Sequence, residues 1–218
     1  MVPFPHPPPA MRAALDALVR ADPRLAAVEA AAGPLPWRTR PGGFPGLLRI
    51  VTAQQISSAA AAAIWGRLAA VPGALDPGAW PTLSDDALRA AGLSRPKVGH
   101  GRALAAAFAS KRLSAAGLAA LPDAEALAAI TAVPGLGPWT AEVYLLFAEG
   151  RPDVFPAGDV AVAGAAAALL GLAARPDPRA LRALAERWRP ARALAARLLW
   201  HHWRHKTGRP SLDDLPVL

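Results

Sequence analysis

The sequence predicts an all-α protein of two helical lobes. Three observations carry that expectation. Apolar residues recur at helical spacing along most of the chain, as in Leu15, Leu18, Val19, Leu25 and Val28. Few stretches alternate at the two-residue period of a half-buried strand. Loops rich in Pro and Gly separate the periodic segments, such as residues 33–46 and 72–82.

Length and composition bound the function. The chain has 218 residues, enough for one domain or two small lobes with a real core. Hydrophobic residues make up 53% and charged residues 18%, yet the net charge is +8. Lys97, Lys111 and Lys206 are the only lysines, so nearly all the positive charge is Arg. Arg matches phosphate geometry, and the balance suits a polyanionic partner; a base-composition bias of the genome would leave the same trace. There is no Cys, which excludes disulfides, thiolate metal sites and a four-Cys iron–sulfur cluster. The N-terminus is Pro-rich without a cationic start and apolar core, so no signal peptide is expected. Ala-rich runs such as Ala59 to Ala63 are too short to span a membrane. A cytoplasmic protein is the expectation.

Each element follows from local pattern. Met1 to Pro9 reads as extended and loosely held. Met11 to Ala32 reads as two helices or one kinked helix, broken near Asp22-Pro23. Gly33 to Gly46 is a loop containing Trp37, a core or lid aromatic and a candidate substrate contact. Phe44 to Val71 carries an apolar stripe of Leu47, Leu48, Val51, Ile56, Ala60, Ile64 and Leu68. The polar cluster Thr52-Ala53-Gln54-Gln55-Ile56-Ser57 interrupts it, with Ser57 or Ser58 as a helix cap. Ser84-Asp85-Asp86 caps a short helix that stops at Gly92. Gly92 to Lys97 reads as a turn, followed by a helix to about Lys111; Ser114 to Pro122 reads as a link.

Ala124 to Thr131 is a short helix that Val133-Pro134-Gly135-Leu136-Gly137-Pro138 cannot continue. A second helix restarts at Pro138 and runs to about Phe147. The result is a helix-hairpin-helix over residues 124–147. Bare N–H groups at such a helix start attract anions, phosphate above all. Glu149 to Gly158 is a Pro-rich loop, and Asp159 opens an apolar, buried helix from Val160 to Leu172. Arg179 to Trp188 is amphipathic, Arg189-Pro190 breaks it, and Ala191 to His205 closes the chain's helices. His201, His202 and His205 invite a metal reading by spacing, but no carboxylate lies nearby in sequence.

The stretch Val133-Pro134-Gly135-Leu136-Gly137-Pro138-Trp139-Thr140-Ala141, followed by Asp153 to Asp159, resembles the signature of the helix-hairpin-helix/Gly-Pro-Asp DNA glycosylase superfamily. Within it the chain most resembles the 3-methyladenine DNA glycosylase II (AlkA) family, over about Phe44 to Trp203. The resemblance implies two interleaved helical lobes with a central cleft for a flipped base. It divides the chain into an N-terminal segment, 1–36, and a glycosylase domain, 37–218. The β-rich N-terminal domain of AlkA-type proteins is expected to be missing or reduced, since the residues before Phe44 look helical.

The family likeness also implies roles. Asp159 is the expected catalytic carboxylate; from local sequence alone a plain helix cap would explain it better, and the upstream hairpin with the matching spacing is what favours catalysis. Gln54, a candidate substrate contact, and Gln55 fall in a loop that enters the minor groove, with Gln55 as the wedge and Ser57 beside it. Arg95 and Lys97 match a second hairpin and are candidate phosphate contacts, as are Gly135, Gly137 and Thr140. Trp139 stands where bifunctional relatives carry a Schiff-base Lys. A monofunctional enzyme is therefore expected, with Trp139 stacking on a cationic base. Val143 and Ala191 fall on pocket positions that are aromatic in better-known members, and Tyr144 is a candidate to compensate. A wider pocket with broader lesion range is expected. Backbone carbonyls of Thr131, Val133 and Leu136 are implied to hold a sodium or potassium ion; no other cofactor is expected. The expected partner is double-stranded DNA with damaged bases, and the expected state is a monomer. Two rivals remain: a non-catalytic helix-hairpin-helix DNA-binding protein, and a glycosylase for mismatched or oxidised bases.

Overall fold

The computed structural model describes residues 6–208. Among them every regular element is helical and there is no strand. Two compact units form. One takes the chain up to Thr39 and again from Gly150; the other runs from Arg40 to Glu149.

The first unit begins with α1 (Pro9–Ala21), a short 3-10 turn (Pro23–Leu25) and α2 (Ala26–Ala32). Asp22 is the break, as its extended backbone and the following Pro require. After residue 150 come α10 (Val160–Leu170), α11 (Pro178–Ala185), a 3-10 turn (Glu186–Trp188) and α12 (Arg192–Thr207). Helix α12 is the spine: residues 193–199 are all buried, and it packs on α1, α2 and α10. Gly164 of α10 makes room for the Trp203 indole, which a Cβ there would overlap. Helices α1 and α2 thus belong with the C-terminal helices.

A buried polar pair ties the two ends of this unit. Trp188 is fully buried, and its Nε1–H donates to Asp22 Oδ2 at 3.0 Å. Arg24 donates to both oxygens of the same carboxylate, at 2.7 and 2.8 Å. Charge-assisted donors of this kind hold a carboxylate ionised.

The second unit contains α3 (Gly43–Ala53), α4 (Ser58–Ala69), a 3-10 turn (Trp80–Thr82), α5 (Asp85–Ala90), α6 (Arg95–Ala109), α7 (Ala115–Ala120), α8 (Asp123–Thr131) and α9 (Pro138–Phe147). Helix α9 is buried on every side from Thr140 to Phe147, the polar Thr140 and Glu142 included, as its run of large apolar residues from Val143 onward favours. It packs on α3 and α8, and α3 also packs on α6. Trp80 is buried against Gly101 of α6 and makes an edge contact with Phe44 at 5.9 Å. Side-chain caps start three of these helices: Ser57 accepts from Ala60 N–H, Ser84 from Ala87 N–H and Ser114 from Gly117 N–H. Each cap contributes about 1 kcal/mol.

Four local expectations change. The link at Ser114 to Pro122 contains α7, whose Ser cap and single buried anchor, Leu118, are too brief to show a period. The loop from Gly33 ends at Gly42, because the Tyr144 hydroxyl accepts from Gly43 N–H and supplies a partner for the start of α3. Lys97 lies inside the first turn of α6 rather than in the preceding turn. Helix α10 is only half-buried: Val162, Ala163, Ala165 and Ala166 are inside, while Val160 is 60% exposed. Its mostly Ala and Val sequence offers no polar face to reveal which side meets solvent. The extended segment expected over residues 1–9 falls mostly outside the described residues, and Pro9 already begins α1.

Asp22 generates the prediction for this unit. Its carboxyl is held below the usual carboxylate range, chiefly by the Arg24 hydrogen bonds and further by Trp188. A depressed folded value means the stabilisation is present above the unfolded value, about 4, and is lost as pH falls through the lower folded one. Asp22→Ala leaves the buried Trp188 N–H unpaired and should cost about 1–3 kcal/mol at neutral pH. Asp22→Asn should flatten the acid limb of the stability curve. Chemical denaturation from pH 6 to pH 2 checks both.

Candidate nucleic-acid interface and carboxylate site

The second unit gathers most of the residues singled out from sequence. Helix α3 ends at Ala53, where its last carbonyls lack intrahelical donors. Lys97 Nζ of α6 donates to one of them, Thr52 O, at 2.7 Å. The chain then turns, and Gln54 Nε2 donates to Thr140 Oγ1 at 2.9 Å and to Gly135 O at 3.2 Å. Gln54 therefore fastens the loop 54–57 to the hairpin. Gln55 follows with a positive φ of 58° and is exposed. Few non-Gly residues adopt that conformation, and it costs on the order of 1 kcal/mol. Ile56 beside it is 38% exposed, and Ser57 ends the loop by capping α4. The tip thus presents one polar and one apolar side chain to solvent, fixed at both ends.

The hairpin itself runs from Ala132 to Gly137 between α8 and α9. Leu136 N–H donates to Val133 O at 3.1 Å and closes the turn. Val133 and Leu136 are buried, which anchors the turn from below. Gly135 has φ +86°, and a Cβ on it would overlap the His100 imidazole from α6. Gly137 caps α9 with extended backbone and open space around it. Among the described residues nothing lies within 4 Å of where its Cβ would be, so the first N–H groups of α9 are open on that side. Thr140 is buried and serves Gln54, while Trp139 is half-buried at the start of α9. Arg95 is exposed at the start of α6. Thr131 Oγ1 donates back to Leu127 O at 2.9 Å, so its side chain closes on its own helix.

Val143 and Tyr144, both on α9, are buried, at 2% and 1% exposure. The Tyr144 ring lies against Gly46 and its hydroxyl serves Gly43.

The first unit holds Asp159, Trp37 and Ala191. Asp159 is half-buried and caps α10: its Oδ1 accepts from Ala161 N–H at 2.8 Å and Val162 N–H at 2.9 Å. Two backbone donors fix the carboxylate's orientation at a helix start, where the dipole favours a negative charge. The loop before it is held rigidly. Asp153 receives Arg192 Nε at 2.9 Å and Arg192 Nη2 at 3.0 Å as a fork, and Arg189 Nη1 at 3.0 Å. Phe155 and Ala157 are buried, with Phe155 against Trp188 at 5.9 Å. Ala191 is the N-cap of α12, so the same clamp sets its position. Trp37 is 7% exposed, with the Arg197 guanidinium 4.2 Å over its ring; Arg197 also donates to Arg38 O.

His201 bonds Gly33 O through Nε2, and burial pushes both His201 and His202 below the ordinary imidazole value. Among the described residues no group of three His, Cys, Asp or Glu is arranged to hold a metal ion. No helix among them is long and apolar enough to cross a membrane.

Sequence reasoning missed Asp153 and His100. Asp153 stood inside the quoted motif without a role; its only signal was the excess of Arg around Pro190. His100 lies three residues after Lys97, one turn along the same helix face, which was the signal available.

This geometry is that of a known superfamily. The model of the HhH-GPD superfamily base excision DNA repair proteins matches residues 48–190, and the chain belongs to that family. It is 36% identical over 169 residues to the probable bifunctional transcriptional activator/DNA repair enzyme AlkA of Mycobacterium tuberculosis, covering 72% of this chain and 33% of that protein. It thus spans about a third of the length of that relative. It is 30% identical over 161 residues to DNA-3-methyladenine glycosylase 1 of Schizosaccharomyces pombe, covering 71% of this chain and 69% of the other. Its fold matches the S. pombe 3-methyladenine DNA glycosylase Mag1 in complex with abasic DNA, with a TM-score of 0.79 at 26% identity over 88% of this chain and 95% of that one. It also matches the DNA-3-methyladenine glycosidase of Bacillus halodurans, with a TM-score of 0.77 at 30% identity over 95% of this chain and 94% of that one.

Gly135→Ala tests the hairpin. The left-handed φ and the His100 ring both oppose a methyl group, so the loss should exceed about 1 kcal/mol. Thermal unfolding should show that loss, and fluorescence anisotropy with a short duplex should show weaker binding.

Proposed function

We propose that the protein is a monofunctional DNA glycosylase that removes alkylated bases, including 3-methyladenine and related methylated purines. The observation that carries the reading is Asp159, a carboxylate oriented by two backbone donors and following a phosphate-type hairpin in the chain. The names of the relatives in this family support the substrate class.

The chemistry follows from the residues. The bond from sugar C1′ to the base nitrogen breaks, and its electron pair leaves with the base. A ring-alkylated purine carries a positive charge, so it departs as a neutral molecule. Positive charge builds on the sugar, and the Asp159 carboxylate stabilises it. Water adds at C1′ and gives up a proton, with Asp159 as the general base. The products are the free base and an abasic site. Trp139 carries no amine, so no Schiff base forms at that position and the strand stays intact. Its indole suits a cationic base, an attraction of about 0.5–2 kcal/mol. Gln55 fills the gap left by the extruded nucleotide, with Ile56 beside it. The small side chains Val143 and Ala191 support a broad lesion range. Double-stranded DNA with damaged bases is the partner, the monomer is the working state, and the cytoplasm is the compartment that goes with this role.

A sodium or potassium ion held by the backbone carbonyls of Thr131, Val133 and Leu136 belongs to the same reading. Carbonyl oxygens suit a hard cation. Val133 O accepts one hydrogen bond from Leu136 N–H and keeps a second lone pair, so the turn fits such an ion. The ion would add fixed positive charge beside a phosphate.

Methylated duplex DNA tests the proposal. The intact protein should release free methylated bases, and strands should break only after alkali. Asp159→Asn should release them about 10²–10⁴-fold more slowly while binding DNA equally. Borohydride should trap no covalent complex. Release confined to 3-methyladenine across a panel of lesions would defeat the broad range, and binding without any release would favour a non-catalytic DNA-binding protein.

A further inference from the structure

Lys97 matches the position of a phosphate contact by sequence, but its ammonium is already engaged. It donates to Thr52 O at 2.7 Å and is only half-exposed. The direction makes electrostatic sense. A cation in the first turn of α6 opposes that helix's own dipole, whereas Thr52 lies at the negative end of α3. Burial pushes the Lys97 ammonium below the ordinary lysine value, as for a group turned inward.

Three ties converge on one small region. Lys97 holds the end of α3, immediately before the loop 54–57. Gln54 joins that loop to the hairpin through Gly135 O and Thr140 Oγ1. His100, on the same face of α6 as Lys97, sits against Gly135, and its buried Nδ1 has no partner. The ring occupies the space that a Cβ at Gly135 would need. One turn of α6 therefore touches both the end of α3, from which the loop springs, and the hairpin.

We propose that Lys97 is a positioning residue that, with Gln54, fixes the loop bearing Gln55 and Ile56 in register with the hairpin 133–138. The inference rests on the DNA-glycosylase reading. A duplex seated on the hairpin then meets the loop tip at a set distance, and the tip enters without first being ordered. The entropy of ordering the loop is settled on folding rather than at each lesion. Gln55, in its unfavourable backbone conformation, stays where the ties put it.

The salt dependence of binding separates a strut from a phosphate contact. Each phosphate contact contributes about one to the slope of log affinity against log salt. Lys97→Met keeps the length and removes the donor. We expect this variant to retain the wild-type salt slope on an undamaged duplex. Extrusion should fall at least about tenfold, read as 2-aminopurine fluorescence at a lesion site. Lys97→Arg, which can still donate to Thr52 O, should restore it. Gln54→Met cuts the second tie without changing charge and should show the same pattern. It also keeps the test open if Lys97→Met does not fold, which circular dichroism would reveal. A slope reduced by about one in Lys97→Met, or wild-type extrusion in the folded variants, would overturn the proposal. If the unmodified protein neither binds nor extrudes, the glycosylase reading fails, and the register role fails with it; that outcome is read in the wild-type arm alone.

Discussion

A helix ends with up to four backbone groups lacking a partner, and an all-helical chain meets that constraint at every turn. In this protein several of the proposed functional residues lie at such helix ends. Asp159 satisfies two N–H groups at the start of α10. Lys97 satisfies a carbonyl at the end of α3, and Ser57 satisfies an N–H at the start of α4. Gly137 begins α9 with no side chain over the first N–H groups. A carboxylate held by two backbone donors needs no reorientation when charge develops nearby, and preorganisation of that kind is where electrostatic catalysis gains most.

The rest of each unit keeps these ends in place. In the unit from Arg40 to Glu149, α9 is buried all round and cannot shift without opening the core. Tyr144 locks the start of α3 to it, and Gln54 locks the end of α3 to it. In the unit containing Asp159, the Asp153 fork with Arg192 fixes the loop that leads to the carboxylate. Trp188, buried between Asp22 and Phe155, ties that loop to the N-terminal helices. Partly buried charge pairs such as Asp153–Arg192 add less to stability than their Coulomb attraction suggests, because desolvation opposes it. Their use here is geometric.

Much of this was legible in the sequence. The period of apolar residues, the Pro and Gly breaks and the Ser and Asp caps gave the helices, including the restart at Pro138 and the cap at Asp159. Helix α7 was missed because six residues hold too little period to register. The half-exposure of α10 was missed because Ala marks no face. The largest gap lay in pairings across elements. No local pattern says that Lys97 bonds Thr52, that Tyr144 turns to Gly43, or that His100 fills the space beneath Gly135. Such partners are set by helix packing, and a sequence shows the residues without showing what they face.

The central claim is that Asp159 acts on positive charge at the sugar. The most direct measurement compares affinity for two duplexes of one sequence. One carries a neutral tetrahydrofuran abasic analogue, the other a cationic pyrrolidine analogue that mimics the charged sugar. The account predicts that the intact protein binds the cationic duplex at least about tenfold more tightly, and that Asp159→Asn abolishes the preference while still binding the neutral one. Equal affinity of the intact protein for the two, or a preference that survives Asp159→Asn, would contradict it.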